Sequence, residues 1–228
     1  MAFIVKNTTF PGLLDLIFPH SCKGCGLIGE PLCERCKNYI LKNHSKICPN
    51  CKKEKSSTLC KHCPDLPPIY VVSDRSGLLG SLIHDYKYYS TRALARPLTE
   101  LLDASLPQNL PTNSVLVPLP TATHHIRTRG FDHTYKIAKN LAKIRNLTVE
   151  KILIRNQNTT QVGSNREKRL SQAKSAYSIN PKAKIDGTKT YILLDDVWTT
   201  GASVTSALKK LQSAGAKKFI ICLLAYSS

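Results

Sequence analysis

From residue 67 onward, apolar residues fall into short unbroken runs separated by stretches where they recur every three or four positions. The runs at 69–73, 114–117, 151–154, 191–194 and 219–224 are rich in Ile, Val and Leu and read as strands. Between them, 78–86, 91–105, 134–145 and 203–214 carry apolar residues at helical spacing. Strands that are apolar throughout need cover on both faces. Strands alternating with helices supply that cover as a parallel sheet between helical layers. The pattern therefore predicts an α/β fold, with ligands bound beyond the carboxyl ends of its strands.

The N-terminal stretch departs from this pattern. Pro64, Pro67 and Pro68 resist helix and sheet, and place a boundary between residues 1–66 and 67–228. Residues 20–64 hold too few apolar side chains for a core, but eight of the nine cysteines lie there in four C-x-x-C units. Two intervening residues let both sulfurs of a turn face one ion, and two such turns complete a tetrahedral four-sulfur site. The gaps of seven and eight residues between units favour sequential pairing. One zinc ion is then expected on Cys22, Cys25, Cys33 and Cys36, and a second on Cys48, Cys51, Cys60 and Cys63. A cross-braced pairing of first knuckle with third stays open. His20, His44 and His62 lie nearby but are not needed by sites that four thiolates already close. Such sites replace a core and leave no open position for hydrolysis. Thiolates spaced for metal point to a reducing, cytoplasmic setting. Cys222 stands apart in a strand, where burial accounts for it.

A chain of 228 residues with 42% hydrophobic content can bury a sizeable core. No apolar run approaches the roughly 18 residues that a membrane span requires. "MAFIVKNTTFPGLLDLIFPH" is interrupted by Pro11 and Asp15, and is expected to pack a helical turn or two on the domain behind it. The formal net charge is +18, with 10 Lys and Arg against 5 acids up to residue 68 and 23 against 10 beyond it. An excess of this size, spread along the chain, predicts a polyanion partner or an anionic ligand.

The sharpest chemical signal is "YILLDDVWTTGAS". A buried strand ends in Asp195 and Asp196, which strand alternation points in different directions, so they are not expected to act as a general acid–base pair. Thr199, Thr200, Gly201, Ala202 and Ser203 then supply hydroxyls, small side chains and bare amides at the start of a helix. Those groups, together with the positive helix end, suit a phosphate. No lysine follows in the nucleoside-triphosphate manner. Carboxylates beside a phosphate site suit sugar hydroxyls, whose hydrogen bonds they accept. The plain structural alternative is a strand exit with an ordinary threonine cap.

The turn resembles the signature loop of the type I phosphoribosyltransferases. That resemblance implies that Asp195 and Asp196 are the catalytic residues holding the ribose hydroxyls, and that Thr199 to Ser203 bind the 5′-phosphate of phosphoribosyl pyrophosphate. It implies a pyrophosphate loop in "VLVPLPTATHHIRTRGFDH", with Arg127 and Arg129 as contacts and His124, His125 and His133 nearby. It also implies a closing loop in "NQNTTQVGSNREKRLSQAKSAY", where Arg166, Lys168 and Arg169 either cover the diphosphate or form a solvated charged helix. The four cysteine knuckles, "LIHDYKYYSTRALARPL", "RTRGFDHTYKIA" and "DDVWTTGAS", in this order, resemble the ComF family of competence proteins over nearly the whole chain. The family pattern R-G-F-N-Q is Arg129-Gly130-Phe131-Asp132-His133 here, which adds a negative charge near the expected anion site. Trp198 fills a variable position and is expected to pack over the ligand or the helix start.

Three functions follow as expectations. One is an active phosphoribosyltransferase, with Mg2+ accompanying phosphoribosyl pyrophosphate and with the acceptor base unidentified. Another, implied by the ComF resemblance, is a protein of natural transformation and DNA uptake. It would bind single-stranded DNA at the inner face of the membrane beside a helicase and a membrane channel, with Tyr86, Tyr88 and Tyr89 beside Lys87 either stacking bases or closing a helix. The third is a regulator that senses phosphoribosyl pyrophosphate without turning it over.

Overall fold

The computed structural model describes residues 20–42, 47–54, 58–89, 91–156 and 176–227. The N-terminal apolar segment, His44 and the stretch holding Arg166, Lys168 and Arg169 lie outside them. Strands β1 (His20–Ser21) and β2 (Ile28–Gly29) form a short antiparallel hairpin, followed by α1 (Glu34–Lys42). Then come β3 (Ile69–Asp74), α2 (Gly77–Tyr88), α3 (Ala95–Ser105) and β4 (Ser114–Pro118). Next are α4 (Thr123–Arg129), α5 (His133–Arg145), β5 (Thr148–Val149) and β6 (Leu153–Arg155). The chain continues through β7 (Tyr177–Ile179), β8 (Thr190–Trp198), α6 (Ala202–Ser213) and β9 (Lys218–Tyr226).

Five strands make one sheet in the order β3-β9-β8-β4-β5, with every pairing parallel. Residue parity sorts their side chains. Val72, Leu116, Ile192, Leu194, Ile220, Cys222 and Leu224 face one core with α2, α3 and α5. Val71, Val115, Val117, Tyr191, Leu193, Phe219, Ile221 and Leu223 face the other with α6. The two-sided burial expected of these apolar runs is what the sheet provides. The α/β architecture is thus as anticipated, and Cys222 is fully buried within β9.

The strand expected at 151–154 is divided instead. The sheet's outer strand is β5, which ends where the Glu150 amide donates to the Leu116 carbonyl. Past it the chain turns away, and β6 pairs antiparallel with β7 as a separate two-stranded ribbon. Leu153 is buried while Ile154 is 43% exposed, so this segment has one apolar face and cannot serve as a two-sided sheet strand. A 3-10 turn, Arg92–Leu94, precedes α3. Pro97 falls within the first turn of α3, where its missing N–H removes no helical bond. Helix α4 interrupts a stretch read as loop.

The cysteine-rich segment does not hold itself together alone. Leu32 and Ile40, with Cys22 and Cys36, join the core formed by α2, α3 and the sheet. Lys37 of α1, itself buried, bridges Glu34 and Glu100 of α3 at 2.6 Å each. Farther along, the Ile69 amide donates to the Thr58 carbonyl. Lys52 donates to the Ser227 carbonyl, and its ammonium stands 5.0 Å over the Tyr226 ring.

Candidate functional site

Two groups of four cysteines come together, Cys22, Cys25, Cys33 and Cys36 in one and Cys48, Cys51, Cys60 and Cys63 in the other, each with all sulfurs within 4.8 Å of one another. This is the sequential pairing. The Sγ separations of Cys22–Cys33, Cys25–Cys33 and Cys51–Cys60 are 3.6 Å. A disulfide needs about 2.05 Å, whereas the edge of a tetrahedron with metal–sulfur bonds of about 2.3 Å is about 3.8 Å. The donor set therefore fits a double zinc ribbon, and either group could hold one ion. Backbone amides already point at the sulfurs: those of Gly24 and Cys33 donate to Cys22 Sγ at 3.4 Å. Burial opposes the Cys22 thiolate, yet the amides of Cys33, Cys25 and Gly24 bring its pKa down to about 6, readying it as a ligand. A Cβ on Gly24 would meet Cys36 Sγ at 2.7 Å, so only glycine lets this turn approach the fourth sulfur. The cysteine groups include neither His20 nor His62.

The second site lies where the chain switches faces. From β4 it leaves through α4 and α5, and α5 packs in the core with α2 and α3. From the adjacent β8 it leaves through α6, which packs in the opposite core. Adjacent parallel strands whose exits diverge open a crevice at their carboxyl ends, the usual ligand position in such sheets. The crevice is rimmed by residues 119–132 after β4 and by Thr199, Thr200 and Gly201 after β8. The Leu119 amide donates to the Leu194 carbonyl at 2.9 Å and ties the two exits together.

Each group expected at this site can now be placed. Strand β8 runs past the exit expected at residue 195, through buried Val197 and Trp198, so Asp195 and Asp196 lie within it and find different partners, as strand alternation requires. Asp195 Oδ1 accepts from the Asp196 amide at 2.9 Å, and its charge is felt by the Tyr177 phenol on the α6 side. Asp196 Oδ2 sits 2.5 Å from both Lys87 Nζ and His133 Nε2 on the side of α2 and α5. Burial alone would raise the Asp196 carboxyl, but the His133 hydrogen bond and the charge of Lys87 outweigh it and hold the group well below the carboxylate range. Asp195 moves the other way: burial, then the charge of Asp196, push it up to about 7.

His133 is held from both ends. Arg129 Nη1 lies 3.1 Å from its Nδ1, and a guanidinium can only donate, so Nδ1 accepts. Nε2 therefore carries the hydrogen and donates to Asp196. Arg129 is 8% exposed and also stands 5.3 Å over the Tyr88 ring. It thus reaches Asp196 through His133, whereas Arg127 lies exposed on α4. His124 and His125 are exposed, with ring centroids 3.9 Å apart. Asp132 caps α5, its Oδ1 accepting from the Tyr135 amide at 3.1 Å and the Thr121 hydroxyl at 3.0 Å. Aspartate is as good a cap as asparagine, so the departure at this position is absorbed by the helix start.

The turn after β8 has no ordinary cap. Gly201 occupies the N-cap position of α6 at φ 74, with no side chain capping the helix. Thr199 and Thr200 are exposed, and Thr200 Oγ1 reaches the Ala202 amide only at 3.4 Å. Trp198 is 1% exposed and lies under the glycine, where an added Cβ would meet its Cζ2 at 2.3 Å. The indole is thus the floor of the turn. Tyr86 is buried, its hydroxyl donating to the His133 carbonyl at 3.0 Å. Tyr88 and Tyr89 are exposed beside His84, whose ring lies 4.9 and 5.5 Å from theirs.

Sequence reasoning missed the contact of Lys87 with Asp196 and the part His133 plays between Arg129 and Asp196. A signal existed for both. Lys87 continues the buried stripe Leu79, Ile83 of α2, and His133 begins the buried stripe Ile137, Leu141 of α5. A charged or titratable residue on an apolar stripe needs a buried partner.

No family model matches the sequence. Among solved structures, the chain is similar to the allosteric regulatory enzyme of purine biosynthesis at TM-score 0.41 and 17% identity, covering 57% of this chain. It spans about a quarter (26%) of that enzyme's length. It is also similar to the purine phosphoribosyltransferase of Pyrococcus horikoshii at TM-score 0.33 and 16% identity, covering 64% and 75% of the two chains. Among curated proteins, Competence protein F of Haemophilus influenzae is 24% identical over 90% of this chain and 89% of its own. Competence protein ComFC of Streptococcus pneumoniae is 26% identical over 92% and 90%. Along about nine-tenths of its length (92% and 90% in the two alignments) the chain is therefore similar to the competence proteins of the ComF type, as its cysteine knuckles and its T-T-G-A-S turn led one to expect.

Proposed function

We propose that the chain is a DNA-uptake protein of the ComF type that binds phosphoribosyl pyrophosphate at the end of β8 and single-stranded DNA on its basic surface. The observation carrying the first part is the uncapped start of α6 directly after the Asp195–Asp196 pair, at the switch between β4 and β8. Free amides, two exposed hydroxyls and the positive helix end suit a terminal phosphate. The two carboxylates, one beyond the other along the strand, suit a diol. Magnesium would accompany the diphosphate of such a ligand. The zinc ions of the ribbon would be structural, since four thiolates close each site.

The DNA part is supported by the net charge of +18 and by relatives named for competence. Binding through the backbone should weaken steeply with salt. Calorimetry with phosphoribosyl pyrophosphate and magnesium tests the first part. Saturable binding that Asp196→Asn lowers at least tenfold supports it, and no heat at any concentration refutes it. An oligonucleotide titration at rising salt tests the second part on the same preparation. Release of pyrophosphate with a nucleobase would identify a transferase.

A further inference from the structure

The Asp196 carboxylate is engaged twice on one oxygen, and its two partners are not equivalent. His133 cannot leave: its Nδ1 is anchored by Arg129, its carbonyl by Tyr86, and the residue is buried. Lys87 can. It sits one residue from the end of α2, on a flexible four-carbon stem, with its side chain 18% exposed. Among the described residues, Asp196 is the ion-pair partner given to its ammonium.

Resting on the phosphoribosyl reading above, we propose that Lys87 is an exchangeable counter-ion, pairing with Asp196 in the free chain and moving to the diphosphate of the bound donor. Charge and geometry both lead there. Two successive carboxylates in a buried strand end need a cation close by, and Lys87 supplies it. A sugar diol donating hydrogen bonds to Asp196 takes over the oxygen that Lys87 holds. The displaced, half-buried ammonium then lacks a partner, and the ligand brings an anion on the neighbouring carbon. A compact ammonium with three donors suits a phosphate oxygen as a point charge. Lys87 would thus gain its strongest partner only when phosphate and diol are both seated, which favours the full donor over its fragments. Arg129, fixed between His133 and Tyr88, keeps the other end of the relay in place.

The test separates fragment from donor. Calorimetry of the full chain measures ribose 5-phosphate and phosphoribosyl pyrophosphate, the latter with magnesium, for the wild type, Lys87→Met and Lys87→Arg. Lys87→Met should weaken the full donor by roughly 10- to 100-fold, the value of one charge-assisted hydrogen bond. Affinity for ribose 5-phosphate should hold or rise, because its diol displaces Lys87 without offering the ammonium a diphosphate. Lys87→Arg should recover most of the loss. Equal weakening of both ligands in Lys87→Met means the lysine only shapes the site, and overturns the proposal while leaving the phosphoribosyl reading intact. Unchanged donor affinity overturns it as well. Failure of the wild type to bind either ligand overturns the phosphoribosyl reading and this proposal together. Thermal unfolding of each variant confirms that comparisons are made between folded chains, and Lys87→Arg keeps the comparison open should Lys87→Met not fold.

Discussion

Substituting Gly201 by alanine tests whether the turn after β8 is built on its glycine or merely contains one. Two costs apply, and the structure separates them. At φ 74 the residue is left-handed, which costs alanine about 1–2 kcal/mol. The new methyl would also stand 2.3 Å from Trp198 Cζ2 and 2.7 Å from Cε2, well inside contact distance. Trp198 is 1% exposed and has nowhere to retreat. Displacing it is an overpacking defect of about 1–3 kcal/mol. The sum is a loss of about 2–5 kcal/mol. Gly26 provides the control: its φ of 75 is nearly the same, yet a Cβ there meets nothing within 4 Å. Gly26→Ala should cost only the backbone part, about 1–2 kcal/mol. Urea unfolding of the metal-loaded wild type and both variants, read by Trp198 fluorescence, gives the two differences. Gly201→Ala should exceed Gly26→Ala by at least about 1 kcal/mol. Its ribose 5-phosphate affinity should also fall, since the moved indole is the floor of the turn. Equal losses in the two variants would show that the indole yields freely, and the close approach would then explain nothing about this turn.

Elemental analysis should find two zinc ions per chain, and Cys36→Ser should remove one of them and lower the melting temperature, because Cys36 also belongs to the core of the larger unit. Lys37→Met should destabilise by about 1–2 kcal/mol at neutral pH, a charge-assisted pair discounted for its part-exposed partners. The Lys37 amine is raised above 10.5, so its share is complete below that value and fades as pH rises past it; Glu100 is lowered below 4.5, so its share is present above that value and fades in acid. The cost of Lys37→Met should accordingly be flat from about pH 5 to 10 and shrink outside that window. Asp195 is held at about 7, and on the proposed phosphoribosyl reading the diol needs its ionised form. Donor affinity should therefore rise about tenfold per unit as pH climbs toward 7 and level off above it. In Asp195→Asn that component should vanish, and an unchanged pH profile would refute the role given to this carboxylate.

Much of the molecule is legible in the chain. Strands with two apolar faces announce themselves as unbroken runs, and the β8 run with its acids and small residues marks both a sheet strand and its exit. Cysteine spacing marks two four-sulfur sites and favours sequential pairing, but the fold decides it against the cross-braced alternative. The split at residues 148–155 is not legible: Thr148 and Val149 form no apolar run of their own after the helical stretch, and only the fold places them beside β4. Nor does the order of strands follow from any local pattern, since β9 lies between β3 and β8. The relay from Arg129 through His133 to Asp196 includes a contact between residues 63 positions apart, and Lys87 closes it from a third element. Periodicity says that His133 and Lys87 are buried, but only the fold says against what.

The place of β9 has a consequence for how the sheet closes. Strand β9 is an interior plank: its residues 218–226 are flanked by 69–74 on one side and 190–198 on the other. Until residues 218–226 are in place, β3 and β8 keep unsatisfied edges and Lys52, beside the second cysteine group, lacks the Tyr226 ring and Ser227 carbonyl it contacts. A chain cut before residue 218 would therefore leave the facing edges of β3 and β8 open, an adhesive species prone to pair with other chains.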